Sequence, residues 1–245
     1  MLRGMMVSVV IPAFNEEKLL PECLRAVREA MAAFVARGWR SEVIVCDNNS
    51  TDRTAAVAEA GGARVVAEPV NQISRARNTG ARAAQGDWLI FVDADSFPTR
   101  GLFEEVARAM EGGRCLAGGA VVQLDAPVFW AAAANRCWNW VSRLFRYAAG
   151  SFLFCQTAPF RETGGFSEAL FVSEELELSR RLKKMARRRG QTMVIIKNQA
   201  IVTSARKIRL YSLADHLRFL GTLLRHGRAA ARRREACPIW YEGRR

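Results

Sequence analysis

A chain of 245 residues, 50% hydrophobic and 25% charged, is long enough to bury a core and too apolar to remain disordered. Its net charge of +13 calls for something anionic, whether nucleic acid, membrane surface or phosphorylated molecule, without choosing among them. No apolar run reaches the roughly 18 residues that span a bilayer, and the 6 cysteines show no C-x-x-C spacing, which sets aside a zinc site and predicts reduced, buried thiols in a cytoplasmic protein.

In chain order, residues 7–11 form a β-branched apolar run stopped by Pro12, read as a buried strand because no small-residue cleavage site follows it. Residues 16–37 place Leu19, Leu20, Cys23, Leu24, Val27, Ala30, Met31 and Phe34 at helical spacing, and Gly38 ends the run. A second strand is expected at 43–46, a polar loop at 47–52, a helix at 54–60 closed by Gly61-Gly62, and a third strand at 64–67. A helix over 74–84 and the turn Gly86-Asp87 lead into a fourth strand at 88–92. Such β-α repetition predicts an α/β domain of Rossmann type, a mostly parallel sheet with helices on both faces.

Beyond Asp95 the pattern loosens: a helix over 102–110, a glycine-interrupted strand over 115–124, and a stretch at 128–149 rich in Trp, Phe and Ala. That stretch reads as an aromatic core helix, or as an interfacial helix with Trp beside Arg136, Arg143 and Arg146. A charged helix over 174–189 follows, then strands at 193–196 and 201–203, an amphipathic helix over 210–224 and a basic tail at 225–234. Residues 1–173 hold 18 basic and 18 acidic side chains, and residues 174–245 hold 19 and 6, so the whole net charge lies at the back. With no repeat and no linker, one domain over 1–209 and a helical, amphipathic and basic extension over 210–245 are expected.

Polar segments sit at or beyond the ends of successive strands: Pro12 to Glu17, Asp47 to Asp52, Ser74 to Gly80, and Asp93-Ala94-Asp95. The carboxyl ends of parallel strands open onto the ligand crevice, so topology predicts that these segments converge. Asp93 and Asp95, at i and i+2 of an extended segment, point the same way and suit a divalent cation whose other ligands are phosphate oxygens. A solvated acidic turn is the other reading of that pair.

The segments VSVVIPAFNEE, VIVCDNNSTDRT, ARNTGARAAQGDWLIFVDADS and GGFSEALFVSEELELSRRL together resemble a family 2 glycosyltransferase of the GT-A fold, inverting and non-processive. The resemblance implies a donor half over about 1–100 and an acceptor half over about 101–209. It implies sugar transfer from a nucleotide-diphospho-sugar to a hydroxyl of a glycan or lipid-linked acceptor of cell-envelope or exopolysaccharide synthesis, assisted by Mn2+ or Mg2+. Pro12 and Glu16 would border the nucleotide, Asp47 would bind base or ribose, Asp93 would face ribose or metal water, and Asp95 would ligate the metal. Arg77 would assist the diphosphate, a solvated or structural charge being its other reading; Arg206 or Lys207 on a basic loop would meet it too, an ordinary surface loop being theirs. The family places its base in a Glu-Asp pair opening a helix; here the pair is Glu174-Glu175, and register favours Glu175. No Gln-x-x-Arg-Trp follows, so transfer of a single sugar is expected.

Two other readings compete. A sugar-nucleotide pyrophosphorylase needs a glycine-rich basic loop after strand one, where this chain has Pro-Ala-Phe-Asn-Glu-Glu. A non-catalytic basic protein binding membrane or nucleic acid on a GT-A fold would explain the charge but not the set of Asp47, Asp93, Asp95 and Glu175. The expectation is therefore a cytoplasmic enzyme touching the inner face of an anionic membrane through 210–234, with nucleic acid not expected as a partner.

Overall fold

The computed structural model describes residues 4–126 and 129–237. In chain order it runs β1 (Met6–Ala13), α1 (Leu20–Val35), β2 (Arg40–Asp47), α2 (Thr54–Ala60), β3 (Arg64–Ala67), α3 (Ile73–Ala83), β4 (Trp88–Val92), β5 (Ser96–Phe97) and α4 (Arg100–Glu111). Then come β6 (Cys115–Leu124), α5 (Phe129–Phe145), β7 (Phe152–Gln156), α6 (Thr157–Glu162), α7 (Glu174–Arg188), β8 (Thr192–Thr203), α8 (Arg206–Leu210), α9 (Leu213–His226) and α10 (Arg228–Ala231).

The strands form one sheet in the order β3-β2-β1-β4-β7-β6-β8-β5. β3, β2, β1 and β4 are parallel, as repeated β-α units require. β7 enters antiparallel between β4 and β6, and β5 lies antiparallel on β8, so the parallel expectation holds for the front of the chain and gives way to a mixed sheet behind it. Val7, Val9 and Ile11 join the core under α1 and α4; Val10, Ile44, Leu89 and Phe91 join the core under α3, α6 and α7. Burial on both faces is why these strands read as continuous apolar runs rather than alternating ones.

Several expected boundaries move, each for a local reason. Pro12 does not stop β1: the strand continues to Ala13 alongside β2, past Val10, the last residue paired with β4. α1 begins at Leu20, not 16, because residues 16–19 form a turn in which the Glu16 carbonyl accepts from Leu19 and Leu20, and Pro21 then sits in the first helical turn. β5, β7 and α6 were not expected. The strands expected at 193–196 and 201–203 are one, with the β6 register shifting between Ala120 and Val122 to absorb the polar residues between them. The helix expected over 210–224 is split by Tyr211-Ser212, where Ser212 Oγ accepts from Asp215 N and Asp215 Oδ2 accepts from Ser212 N, a reciprocal cap. Of the apolar stripe expected at Leu210, Leu213, Leu217, Leu220 and Leu224, Leu210 is half-buried and the side chains of the other four lie outside the described residues. Cysteines 23, 46, 115, 155 and 237 are free and buried, and burial pushes the Cys46 and Cys115 thiols up to about 12; Cys137 is exposed.

Gly118 lets β6 approach its neighbours closely. A Cβ there would lie 2.6 Å from the Val194 carbonyl oxygen and against the Phe154 ring. Gly118→Ala is expected to cost about 2 kcal/mol, read by calorimetry as a Tm lower by about 4–8 °C. Gly112→Ala, where a Cβ meets only ordinary contacts, should leave Tm unchanged.

Candidate active site

β1 is flanked by β2 and β4, so chain order switches direction at β1 and the carboxyl ends there open a crevice. The loops after β1 and β2 are bonded to each other. Asn15 N donates to Ser50 Oγ (2.9 Å), Asn15 Oδ1 accepts from Thr51 N (2.8 Å), and Glu16 N donates to Thr54 Oγ1 (2.8 Å). Asn15 and Asn49 have φ of 52° and 66°, a region asparagine tolerates.

Asp47 closes β2, and its Oδ1 is buried and receives no hydrogen bond. A buried acceptor without a donor is costly, so this oxygen suits a ligand N–H or O–H. Asn48 beside it fixes the opposite wall: Nδ2 donates to the Glu68 and Val70 carbonyls (3.1 and 2.6 Å), and Oδ1 accepts from Gln72 N (2.8 Å).

Arg77, on α3, is 1% exposed and lies between the two halves of the site. Nη1 donates to Glu174 Oε1 (2.7 Å); Nη2 donates to Asp93 Oδ1 (2.8 Å) and to the Gly150 carbonyl (2.8 Å). Its Cζ stands 5.2 Å from the Phe166 ring centroid. Burial alone would lower its pKa, but the Asp93 and Glu174 carboxylates outweigh burial and raise it, so the guanidinium remains a cation. These contacts make Arg77 a structural charge, the other reading of it from the sequence.

Asp93 and Asp95 follow β4, Asp95 buried and Asp93 half-buried. Glu16, buried in the turn after β1, accepts twice from Arg206 Nη2 (2.6 and 2.8 Å), and the same nitrogen lies 3.9 Å from Asp95 Oδ2. Arg206 opens α8 rather than riding on a loop: Ser204 N donates to the Asp95 carbonyl (2.9 Å) and Ala205 N to Asp125 Oδ1 (2.8 Å), which fixes the turn. The side chain of Lys207 lies outside the described residues.

Across the crevice, α7 begins after Ser173, whose φ of 64° turns the chain sharply into the helix. Glu174, 4% exposed, is held by Arg77. Glu175 is half-buried, its Cδ 3.7 Å from where a Gly150 side chain would begin. Burial first, and then repulsion from Glu174, push its carboxyl up to about 8. The adjacent acids thus differ in kind: one is a locked ion-pair partner, the other a carboxyl pushed well above the ordinary carboxylate range.

The structure brings Glu16, Asp95 and Arg206 together, and Arg77, Asp93, Glu174 and Glu175 together, with Asp47 at the neighbouring strand end. Sequence reasoning missed Gly150 and Ser151, whose carbonyls accept from Arg77 and from Asp93 N (3.3 Å). Gly-Ser between two apolar runs was the signal that could have found this turn.

A central sheet curled around such a crevice, with carboxylates at the strand ends, is the GT-A glycosyltransferase fold. S. aureus TarS 1–349, solved with UDP-GlcNAc, superposes with a TM-score of 0.65 at 18% identity, covering 97% of this chain and 71% of that one. Glucosyl-3-phosphoglycerate synthase from Mycobacterium tuberculosis, solved with Mn2+, UDP and phosphoglyceric acid, gives 0.61 at 22% identity, covering 93% and 77%. The family model of glycosyl transferase family 2 matches residues 8–165, and the chain belongs to that family. Among relatives, an uncharacterised glycosyltransferase of M. tuberculosis is 34% identical over 143 residues, 58% of this chain and 57% of its own length. The undecaprenyl-phosphate 4-deoxy-4-formamido-L-arabinose transferase of Pseudomonas aeruginosa is 39% identical over 120 residues, 44% of this chain and 33% of its own. The chain thus matches little more than half of one relative and a third of the other.

Proposed function

We propose that this protein is a metal-dependent inverting glycosyltransferase moving one sugar from a nucleotide-diphospho-sugar to a hydroxyl of a glycan or lipid-linked acceptor in cell-envelope or exopolysaccharide synthesis. The observation that carries the reading is Glu175: a carboxyl pushed up to about 8, opposite the strand-end acids and beside the Arg77 bridge. Family membership supports sugar transfer, the UDP and UDP-GlcNAc complexes of the structural neighbours support a uridine donor, and the name of the Pseudomonas relative supports a lipid-linked acceptor.

In this reading residues 1–209 hold the donor and acceptor halves, and Asp47 Oδ1 accepts a hydrogen bond from the base or ribose. Glu175 takes the acceptor proton as the acceptor oxygen bonds to the anomeric carbon. The bond from that carbon to the diphosphate oxygen breaks on the opposite side, and its electron pair leaves with the nucleoside diphosphate, inverting the centre. Glu174 and Arg77 position Glu175. Arg206, paired with Glu16 and 3.9 Å from Asp95, is placed to meet the diphosphate.

Among the described residues no group of three or more His, Cys, Asp or Glu could hold a metal by itself. Asp95 and Asp93, whose hard carboxylate oxygens suit Mn2+ or Mg2+, would hold the cation. Such a cation would neutralise charge on the leaving diphosphate.

A panel of nucleotide-sugars with Mn2+ or Mg2+ tests the reading by thermal shift, by donor hydrolysis and by the anomeric configuration of the product. Cation plus UDP is expected to raise the Tm of the wild type but not of Asp95→Ala, and turnover should fall more than a hundredfold in that variant, about 3 kcal/mol of lost charge stabilisation. No shift and no hydrolysis with any donor would overturn the reading.

A further inference from the structure

Surface helices normally turn their apolar face inward; much of α5 does the reverse. Its inner side sets Ala131 and Trp138 inward and is otherwise pinned by polar groups: Asn135 Nδ2 and Asn139 Nδ2 donate to the Val122 carbonyl (2.8 Å each), and Asn139 Oδ1 accepts from Val122 N (2.9 Å). Its outer side carries Ala133, Cys137, Trp140 and Leu144, spaced as one helical stripe and all exposed. Trp140 is 57% exposed, Leu144 58% and Phe145 47%.

Cations surround this stripe. Arg136, Arg143 and Arg146 are exposed, and residues 126–161 contain no Asp or Glu. α7 adds Lys183, whose Nζ donates to the Phe145 carbonyl (2.6 Å) and stands 4.9 Å from the Tyr147 ring centroid, and Arg180, 5.6 Å from it. Among the described residues, none of these five cations is in an ion pair with a carboxylate. Among those residues, too, no helix is long and apolar enough to cross a membrane.

We propose that the outer face of α5, with the adjoining cations of α7, docks on an anionic lipid bilayer. An apolar stripe carrying Trp and interleaved with unpaired arginines matches a surface that offers acyl chains and phosphates together; a nucleic acid would call on the cations and leave Leu144 and Phe145 idle. One short turn joins this face to the site. Residues 146–151 lead from α5 to Gly150 and Ser151, which hold Arg77 and Asp93. Docking does not depend on the catalytic reading. Where that reading calls for a lipid-linked acceptor, it rests on the same geometry: the acceptor's tail stays in the bilayer while its head reaches Glu175.

The full chain is sedimented with vesicles of phosphatidylglycerol and phosphatidylcholine in equal parts, and with phosphatidylcholine alone. Wild type should favour the anionic vesicles. W140S/L144S should lower that binding about tenfold or more and R143Q/R146Q about thirtyfold, with Tm and hydrolysis of soluble donor unchanged in both. Wild-type binding by both variants overturns the proposal, whatever R232Q/R233Q in the tail does. Vesicle binding that ignores W140S/L144S while double-stranded DNA binding falls with R143Q/R146Q assigns the face to nucleic acid and overturns it. A dimer that W140S/L144S dissociates, with vesicle binding intact, assigns it to a second copy and also overturns it. Absence of donor turnover in the wild type strikes the catalytic reading alone, and the vesicle result still decides docking.

Discussion

Glu175→Gln is expected to lower sugar transfer about a thousandfold, in the range typical of a lost general base, while the affinity for UDP stays within about twofold. Glutamine keeps the size and the polar contacts of the side chain but cannot take a proton. The wild-type pH profile provides a second check. A base works deprotonated, and this carboxyl is pushed up to about 8, so kcat/KM should climb with pH, reach half its limit near that value and level off above it. Stability moves the other way. Between the ordinary 4.5 and about 8 the folded chain keeps a proton that the unfolded chain has lost, so this group's contribution is full below 4.5 and fades as pH rises towards 8. The Tm of Glu175→Gln, matched to wild type at pH 4, should therefore exceed it by a few degrees at pH 8. Full activity in Glu175→Gln, or a flat rate profile from pH 5 to 8, moves the base elsewhere.

The first four strands were legible because each is a short apolar run bounded by turn residues, and their order follows from the handedness of β-α units. β7 escaped because Phe152 to Cys155 sits between an aromatic helix and a helix begun by Thr157, and nothing local says that it enters antiparallel beside β4. Asp47, Asp93 and Asp95 could be placed at strand ends from the chain alone. The division between Glu174 and Glu175 could not: it depends on Arg77, far away in sequence and buried beside both halves of the site. Long-range ion pairs have no local signature, whereas strand ends do.

Arg77→Met is the substitution expected to damage the fold most. It leaves Glu174 buried and Asp93 half-buried without their cation, at a cost of about 3–5 kcal/mol, seen as a Tm lower by about 10 °C. It should also move the acid limb of the pH-rate profile above 8, since the guanidinium is what restrains the upward push on Glu175. A merely structural role would lower Tm without moving that limb. Arg77→Lys keeps the charge but not the planar fork that serves Asp93, Glu174 and the Gly150 carbonyl at once, so it should recover part of the Tm and little of the rate. Should Arg77→Met not fold, the double variant Arg77→Met/Glu174→Met decides the matter, because replacing both partners of a buried pair is often close to neutral where removing one is not. The double variant is expected to be more stable than Arg77→Met. If it is no more stable, Glu174 and Arg77 are not coupled, and the bridge that sets Glu175 apart from its neighbour has to be abandoned.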